Sequence, residues 1–236
     1  MRAFFVGTLL VVAFAVAGCG GSSSSAGSTN SSGNGEASKS AQQVVTDAAK
    51  AAEAASSLHM SGQVSSSGQQ IGVDLTIAKG KGATGSLTLK GHKVDLVVIG
   101  SDAYMKAGAA FWTQFGGSSG SAIAQLVADK WIKTSATNPL FAGFAAIANS
   151  KSFFDLTSNH GTFTNKGATT YKGQSVVAIN GTTQGTLYVA ATGTAYPVAI
   201  VKTGAGAGAS ITFDNWNQSV TLTAPSGAID FSHLPG

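Results

Sequence analysis

The residue best placed to do chemistry is Cys19, which is the only cysteine of the 236-residue chain. It ends Val16-Ala17-Gly18-Cys19, which has the pattern of a lipobox, after an apolar run that begins at Ala3. That run is too short to cross roughly 30 Å of hydrocarbon as a helix, so residues 1–18 are predicted to be a cleaved signal peptide. The thiol of Cys19 would then carry a diacylglycerol through a thioether and anchor the mature chain. The alternative is an ordinary secretory signal with an incidental cysteine.

A second candidate for chemistry is Ser118, which lies in a Gly-Gly-Ser-Ser-Gly stretch that matches the G-x-S-x-G pattern of serine hydrolases. Two carboxylate and imidazole pairs follow it in the order that such enzymes use: Asp155 with His160, and Asp230 with His233. Serine and glycine are so frequent here that the pattern can arise by chance, and the nucleophile elbow belongs to a largely parallel sheet. We therefore expect a non-enzymatic protein and keep a serine hydrolase using Ser118 as the lesser alternative.

The other ionisable residues do not indicate a metal site, a cofactor site or a surface that binds nucleic acid. The four histidines are far apart in sequence, and none lies in a spacing typical of zinc ligands: His59, His92, His160 and His233. The net charge is only +4, and the one arginine, Arg2, would leave with the signal peptide. The mature chain therefore has no guanidinium group for bidentate contacts to bases or phosphates.

The residues after the lipobox predict a tether followed by a single domain. Residues 19–39 contain no apolar side chain larger than alanine apart from the cysteine, so they cannot bury enough surface to offset the entropy of folding. Ser40 and Gln43 then have the S-x-x-Q spacing of a capping box ahead of an alanine-rich run, which predicts a helix as far as Leu58. The domain is expected to span residues 40–236.

Alternation of apolar and polar side chains predicts a sheet after this helix. Ile71, Val73, Leu75 and Ile77 alternate with small or polar residues, as in a strand with one buried and one exposed face. Turn signals recur about every ten residues, which favours successive hairpins and leaves no room for the crossover helices of parallel strands. The fold class is therefore predicted as α+β with an antiparallel sheet.

Two amphipathic helices are predicted between two sets of strands. One covers residues 121–130, and the other begins at Asn138-Pro139. The later strands are expected over Thr162–Asn165, Thr169–Tyr171, Ser175–Ile179, Thr186–Ala190, Val198–Lys202, Ser210–Phe213 and Val220–Ala224.

A series of short motifs runs in order along the chain: Tyr104-Met105-Lys106 with Phe111-Trp112, Tyr171-Lys172-Gly173-Gln174, Thr186-Leu187-Tyr188-Val189, Tyr196-Pro197-Val198, Phe213-Asp214-Asn215-Trp216, and Val220 to Pro225. Together with the lipobox and the tether, this order resembles the LppX/LprG group of actinobacterial lipoproteins. The resemblance implies a LolA/LolB-like half-barrel, in which a strongly curved antiparallel sheet has helices packed on its concave face. It also implies an apolar cavity between helices and sheet that accepts acyl chains.

The resemblance also implies which side chains line or gate that cavity, although each could equally fill an ordinary core. The candidate lining residues are Leu96, Val98, Leu126, Trp131, Phe141, Phe144, Ile147, Phe153, Phe154, Val177, Ile179, Leu187 and Val189. The implied function is a lipid-anchored lipoprotein on the extracytoplasmic face of the cell membrane. It would carry or present a lipid or lipoglycan in the cell envelope, with an envelope transporter as a possible partner. The alternative is a surface or scaffold lipoprotein with a closed cavity.

Overall fold

The structure is a computed structural model that describes residues 33–66, 69–138, 161–182, 185–202 and 208–231. The predicted signal peptide and Cys19 lie outside the described residues. So does the segment 139–160, which holds most of the second predicted central helix.

Twelve strands form one open sheet in the described part of the chain. They are β1 Ser57–Ser66, β2 Gln69–Ala78, β3 Gly82–Leu89, β4 His92–Ile99, β5 Asp102–Ala107, β6 Ile132–Ser135, β7 Phe163–Tyr171, β8 Gln174–Gly181, β9 Gly185–Ala190, β10 Pro197–Lys202, β11 Ala209–Asp214 and β12 Ile229–Asp230. Their order is β12-β6-β5-β4-β3-β2-β1-β11-β10-β9-β8-β7, and β12 and β7 do not pair, so the sheet stays open. The predicted α+β class with a largely antiparallel sheet is confirmed.

Two runs of hairpins meet at the centre of this sheet. Each of β1 to β5 pairs antiparallel with the next strand, and so does each of β7 to β10. The two runs join where β1 pairs with β11, with His59 opposite Asp214 and Gly62 opposite Ile211. The short β12 pairs with β6 in the parallel direction, which the hairpin pattern does not predict.

Helix α1 spans Ala41–Ala54, and its N-terminus is capped as predicted, since the Ser40 side chain accepts a hydrogen bond from the Gln43 backbone. The Gln43 side-chain nitrogen donates to Asp47 at 2.8 Å, within the first turns of the helix. The predicted end at Leu58 is wrong. The chain leaves the helix after Ala54, and Leu58 is already a buried residue of β1.

The folded part begins before the predicted boundary at residue 40, because polar contacts hold residues 33–39 against the sheet. The Asn34 side chain donates to the carbonyl oxygen of Ala190 at 2.8 Å. A 3-10 turn at Glu36–Ser38 follows, and the Lys39 ammonium lies 2.6 Å from Glu36 and 2.7 Å from Asp47. These hydrogen bonds, with Asp47 contributing most, raise the pKa of Lys39. The prediction from apolar content alone therefore placed the start of the folded part several residues too late.

Two short helices lie between β5 and β6. They are α2, Ala109–Phe115, and α3, Gly120–Val127, and a 3-10 turn over Gly117–Ser119 joins them. Helix α3 overlaps the predicted helix at 121–130 but begins one residue earlier and ends three residues earlier, whereas α2 is not predicted by the sequence pattern. Neither these helices nor any other described helix is long and apolar enough to span a membrane.

Two of the later strands differ from prediction. The two predicted pieces of β7 form one strand, and the ladder with β8 is irregular between Asn165 and Ala168. Residues 220–224 form no strand, although their side chains alternate, because they make no ladder with a neighbouring strand. The strand of this region is instead β12, where Ile229 lies opposite Ile132.

Candidate functional site

Along β1 to β3 the two faces of the sheet differ in chemistry. Leu58 and Met60 of β1 point to the same face as Leu75 and Ile77 of β2, where the helices pack, and all four are buried. We call this the inner face. The intervening residues, which include His59 and polar side chains on the neighbouring strands, form the outer face. An acyl-chain site built on this scaffold therefore belongs on the inner face.

Helices α2 and α3 cover the inner face of β1 to β6. Phe111, Trp112, Ala124 and Val127 pack in one cluster with buried strand residues that include Leu96. The indole nitrogen of Trp112 donates to the Ala107 carbonyl at 3.2 Å, so its one polar atom is satisfied inside this cluster. The predicted lining residue Val98 is on the same face of β4 as Leu96 and is also buried.

Helix α1 covers the inner face of β8 to β10. Its small face, with Val44, Val45 and Ala48 all fully buried, lies directly on the sheet. The strand side of this cluster consists of four predicted lining residues: Val177, Ile179, Leu187 and Val189. They fill a tightly packed core against α1, because the valine and alanine side chains of the helix allow a close approach. That they also bound a cavity stays a prediction.

At one end of the sheet the apolar inner face is incompletely covered. Val64, Ile71 and Leu89 lie side by side on β1, β2 and β3 and are only half-buried. In the next inner-face row, Val73 and Leu87 are 6% and 1% exposed. We call this end, where the β3–β4 turn and the C-termini of β1 and β5 lie, the Leu89 end. Apolar strand surface therefore remains partly accessible at this end of the sheet.

The remaining predicted lining residues divide into two groups. Trp131 lies on the outer face, because it precedes the fully buried inner residue Ile132, and the Lys106 ammonium lies 5.4 Å from its ring centre. This corrects its assignment to the cavity. Leu126 on α3 is 43% exposed, whereas the next residue, Val127, is fully buried, which corrects the assignment of Leu126 to the interior. The other five lie outside the described residues: Phe141, Phe144, Ile147, Phe153 and Phe154.

The outer face carries polar side chains that the sequence analysis did not single out. A shallow groove of about 500 Å³ lies over β1 to β3 and is lined by polar residues such as Gln63, Asp74 and Thr88. Beside it, the two ring nitrogens of His59 lie 3.0 Å from Asp74 and 2.8 Å from Asp214. His59 and Asp214 are 155 residues apart, so no local pattern predicts this contact.

The fold can be compared with solved structures. LprF from Mycobacterium bovis aligns with a TM-score of 0.56 and 17% identity over 79% of this chain and 97% of LprF. The lipoprotein LppX from Mycobacterium tuberculosis aligns with a TM-score of 0.50 and 16% identity over 78% of this chain and 98% of LppX. This chain has the LprF and LppX fold. A LolA-superfamily protein from Nitrosomonas europaea aligns at a TM-score of 0.28, too weakly to add to the argument. The sequence itself matches no protein-family model and no curated protein sequence.

The LprF and LppX fold gives Ser118 a setting unlike that of a hydrolase nucleophile. A nucleophile elbow places its serine between a strand and a helix. Here Ser118 lies in the 3-10 turn between α2 and α3, and the adjoining sheet is antiparallel. The sequence pattern around Ser118 therefore does not mark an elbow. Within the described ranges, no three His, Cys, Asp or Glu side chains cluster closely enough to bind a metal ion.

Proposed function

We propose that this chain is a membrane-anchored lipoprotein that binds the acyl chains of a lipid or lipoglycan between its helices and the inner face. The protein would carry or present that lipid in the cell envelope without acting as an enzyme. The observation that carries the proposal is the half-buried apolar row at the Leu89 end, Val64, Ile71 and Leu89. The shared fold with LppX, which is a lipoprotein, supports it.

Burial of acyl chains would supply the binding energy. Each methylene removed from water contributes about 0.8 kcal/mol, so roughly ten buried methylenes give about 8 kcal/mol before the entropy of ordering the chain is subtracted. The inner face offers apolar carbon and few polar groups, as the side chains of Val73, Leu75, Leu87 and Leu96 illustrate. We therefore expect selection by chain number and length more than by head group.

The lipobox gives this function its location. Acylation of Cys19 would hold the domain at the extracytoplasmic face of the membrane through at least two acyl chains, which bind far more firmly than one. A domain held in this way meets its own bilayer repeatedly, because the tether keeps its local concentration high. Extraction or presentation of lipid near the membrane then fits better than free diffusion across a wide gap.

Native mass spectrometry of purified protein tests the proposal. Leu89→Gln places an amide on the half-buried row, and we expect it to lower the amount of co-purified lipid by several fold, because the amide must lose its hydration. Thr88→Gln is the matched control, since Thr88 is next to Leu89 but belongs to the outer face. Circular dichroism would verify that both variants fold. Absence of lipid from the unmodified protein, or equal loss in both variants, would contradict the proposal.

A closed, scaffolding lipoprotein is the second candidate, and the packing under α1 favours it. Val44, Val45 and Ala48 leave that half of the inner face fully covered. If the whole interior were closed in this way, the protein would act through contacts with other proteins. It would then purify without lipid and keep its envelope function after Leu89→Gln.

A further inference from the structure

The two short helices beside the Leu89 end form a segment with an unusual surface. Residues 107–128 contain no charged side chain, whereas Lys106 precedes them and Asp129 and Lys130 follow. Two large apolar side chains of this segment are exposed, Phe115 at 38% and Leu126 at 43%. Among the described residues, these two are the exposed large apolar side chains.

Both ends of this helical hairpin attach at the Leu89 end. Ala107, where the chain enters α2, lies opposite Val94 near the start of β4. Asp129, where the chain leaves α3, donates its backbone N–H to the Ala107 carbonyl at 2.9 Å. Helices α2 and α3 therefore stand beside the half-buried apolar row.

Aromatic rings connect the core to this surface. The ring centre of Phe111 lies 5.3 Å from that of the buried Trp112 and 4.9 Å from that of Phe115. The exposed Phe115 ring is flanked by the Lys90 ammonium, 5.6 Å from its centre, and by the ring of His92 at 6.4 Å. An apolar path thus runs from the inner core to an exposed ring that has a cation beside it.

We infer that the α2–α3 hairpin is a docking surface for a lipid bilayer that contains anionic head groups. Exposed Phe115 and Leu126 side chains on an otherwise uncharged segment suit the boundary between head groups and acyl chains. Lysines beside such a surface are attracted to anionic lipids, and Lys90 and Lys130 are at its edges. This inference goes beyond the proposed lipid binding, because a domain can dock on a bilayer without removing a lipid from it.

The tether attaches at the opposite end of the sheet and is still long enough for this orientation. The Asn34 backbone donates to the carbonyl of Ala191, which follows the C-terminus of β9, whereas the N-terminus of β9 is at the Leu89 end. The chain from Cys19 to Gly33 can extend to about 50 Å at most. The ten residues of β1 span about 33 Å, so an anchored domain can turn its Leu89 end towards the membrane.

A polarity-sensitive fluorophore tests the docking surface directly. In the full chain with Cys19→Ser, the label is placed on Leu126→Cys, or on Thr169→Cys at an exposed outer-face position of β7 as the matched control. Vesicles of phosphatidylcholine and phosphatidylglycerol are then added. We expect a blue shift and brighter emission at position 126 and no change at 169. Equal changes at both positions, or no change at 126, would overturn the inference.

Two further variants separate docking from lipid binding. Phe115→Ser should weaken vesicle binding by about tenfold, because an apolar ring no longer enters the interface. Lys90→Asn, which suits the positive φ of 48° at this position, should weaken it several fold and only on anionic vesicles. Lipid retained in purified Phe115→Ser would show that docking and cargo binding are distinct. Unchanged vesicle binding in both variants would refute the docking surface even if lipid still co-purifies.

Discussion

The imidazole of His59 donates to Asp214 across the seam between β1 and β11, with 2.8 Å between Nδ1 and a carboxylate oxygen. Its other nitrogen lies 3.0 Å from a carboxylate oxygen of Asp74 on β2. An ionised carboxylate only accepts hydrogen bonds, so both contacts form together when the ring carries two protons. The imidazolium therefore links three strands where the two hairpin runs meet.

This linkage predicts a pH-dependent contribution to stability. Burial lowers the pKa of His59, but the hydrogen bonds that its ring donates to Asp74 and Asp214 outweigh this effect, and the net pKa is raised above 6.5. The stabilisation is therefore fully present below about pH 6.5 and is lost as the pH rises through the raised value. Urea unfolding should show that His59→Gln costs about 1 kcal/mol at about pH 5.5 and little at about pH 9. The Asp74 and Asp214 side chains are 70% and 57% exposed, so salt should reduce the effect.

The same prediction can be checked on the titration itself. Asp214→Asn should bring the pKa of His59, followed by NMR, back towards 6.5, because the neutral amide no longer favours the imidazolium. An equal loss of stability in His59→Gln at both pH values would instead mean that the ring acts by packing alone.

Gly62 should tolerate no side chain, because it lies in β1 directly against the backbone of β11. Its φ is 141°, and a Cβ there would collide with the backbone carbonyl of Ser210. Gly62→Ala should therefore cost at least about 3 kcal/mol in free energy of unfolding, or prevent folding. Gly80→Ala is the matched control in the β2–β3 turn, where φ is also positive but the added methyl meets open space, and it should cost about 1 kcal/mol. Similar costs at both sites would show that the strain of a positive φ, and not the collision with Ser210, determines the loss of stability.

Ile179 should behave as a core residue beneath α1. It is fully buried in the cluster with Val44 and Val45, so Ile179→Ala should lower the free energy of unfolding by about 2 to 5 kcal/mol. Leu126→Ala removes an apolar side chain of similar size from an exposed position and should change stability by less than about 0.5 kcal/mol. A cost below about 1 kcal/mol for Ile179→Ala would indicate a loosely packed interior in this half as well.

Tether length should control membrane docking without affecting anchoring. If Cys19 is acylated as proposed, deleting residues 22–27 leaves a reach of about 29 Å at most, which is shorter than the roughly 33 Å of β1. A label on Leu126→Cys should then lose its contact with the bilayer, while the protein still fractionates with membranes. Replacing the same residues by an equally long Gly and Ser sequence should restore the contact. A label that reports the bilayer equally in both proteins would place the docking surface elsewhere.

Local sequence patterns account for much of the architecture. Apolar alternation from Ile71 to Ile77 defines a strand wherever one face is buried, and Ser40 defines a helix start because its side chain caps the first turn. The same patterns give wrong predictions for residues whose structure depends on contacts with distant parts of the chain. Residues 33–39 lack apolar side chains larger than alanine, and their order comes from the hydrogen bonds of Asn34 to β9 and of Lys39 to α1. Residues 220–224 alternate in polarity like a strand but form none, because they pair with no neighbouring strand.

The lipobox at Cys19 stays a prediction from the sequence. The sequence by itself determined the start of α1 and the hairpins on either side of the central helices, because each depends on neighbours within a few residues. Tertiary structure alone decided that β1 joins β11, that Trp131 faces outward, and that Phe115 reaches the surface beside Lys90. These outcomes depend on register and on contacts between distant segments. Local periodicity contains no information about either, because a one-residue change of register turns every side chain to the other face.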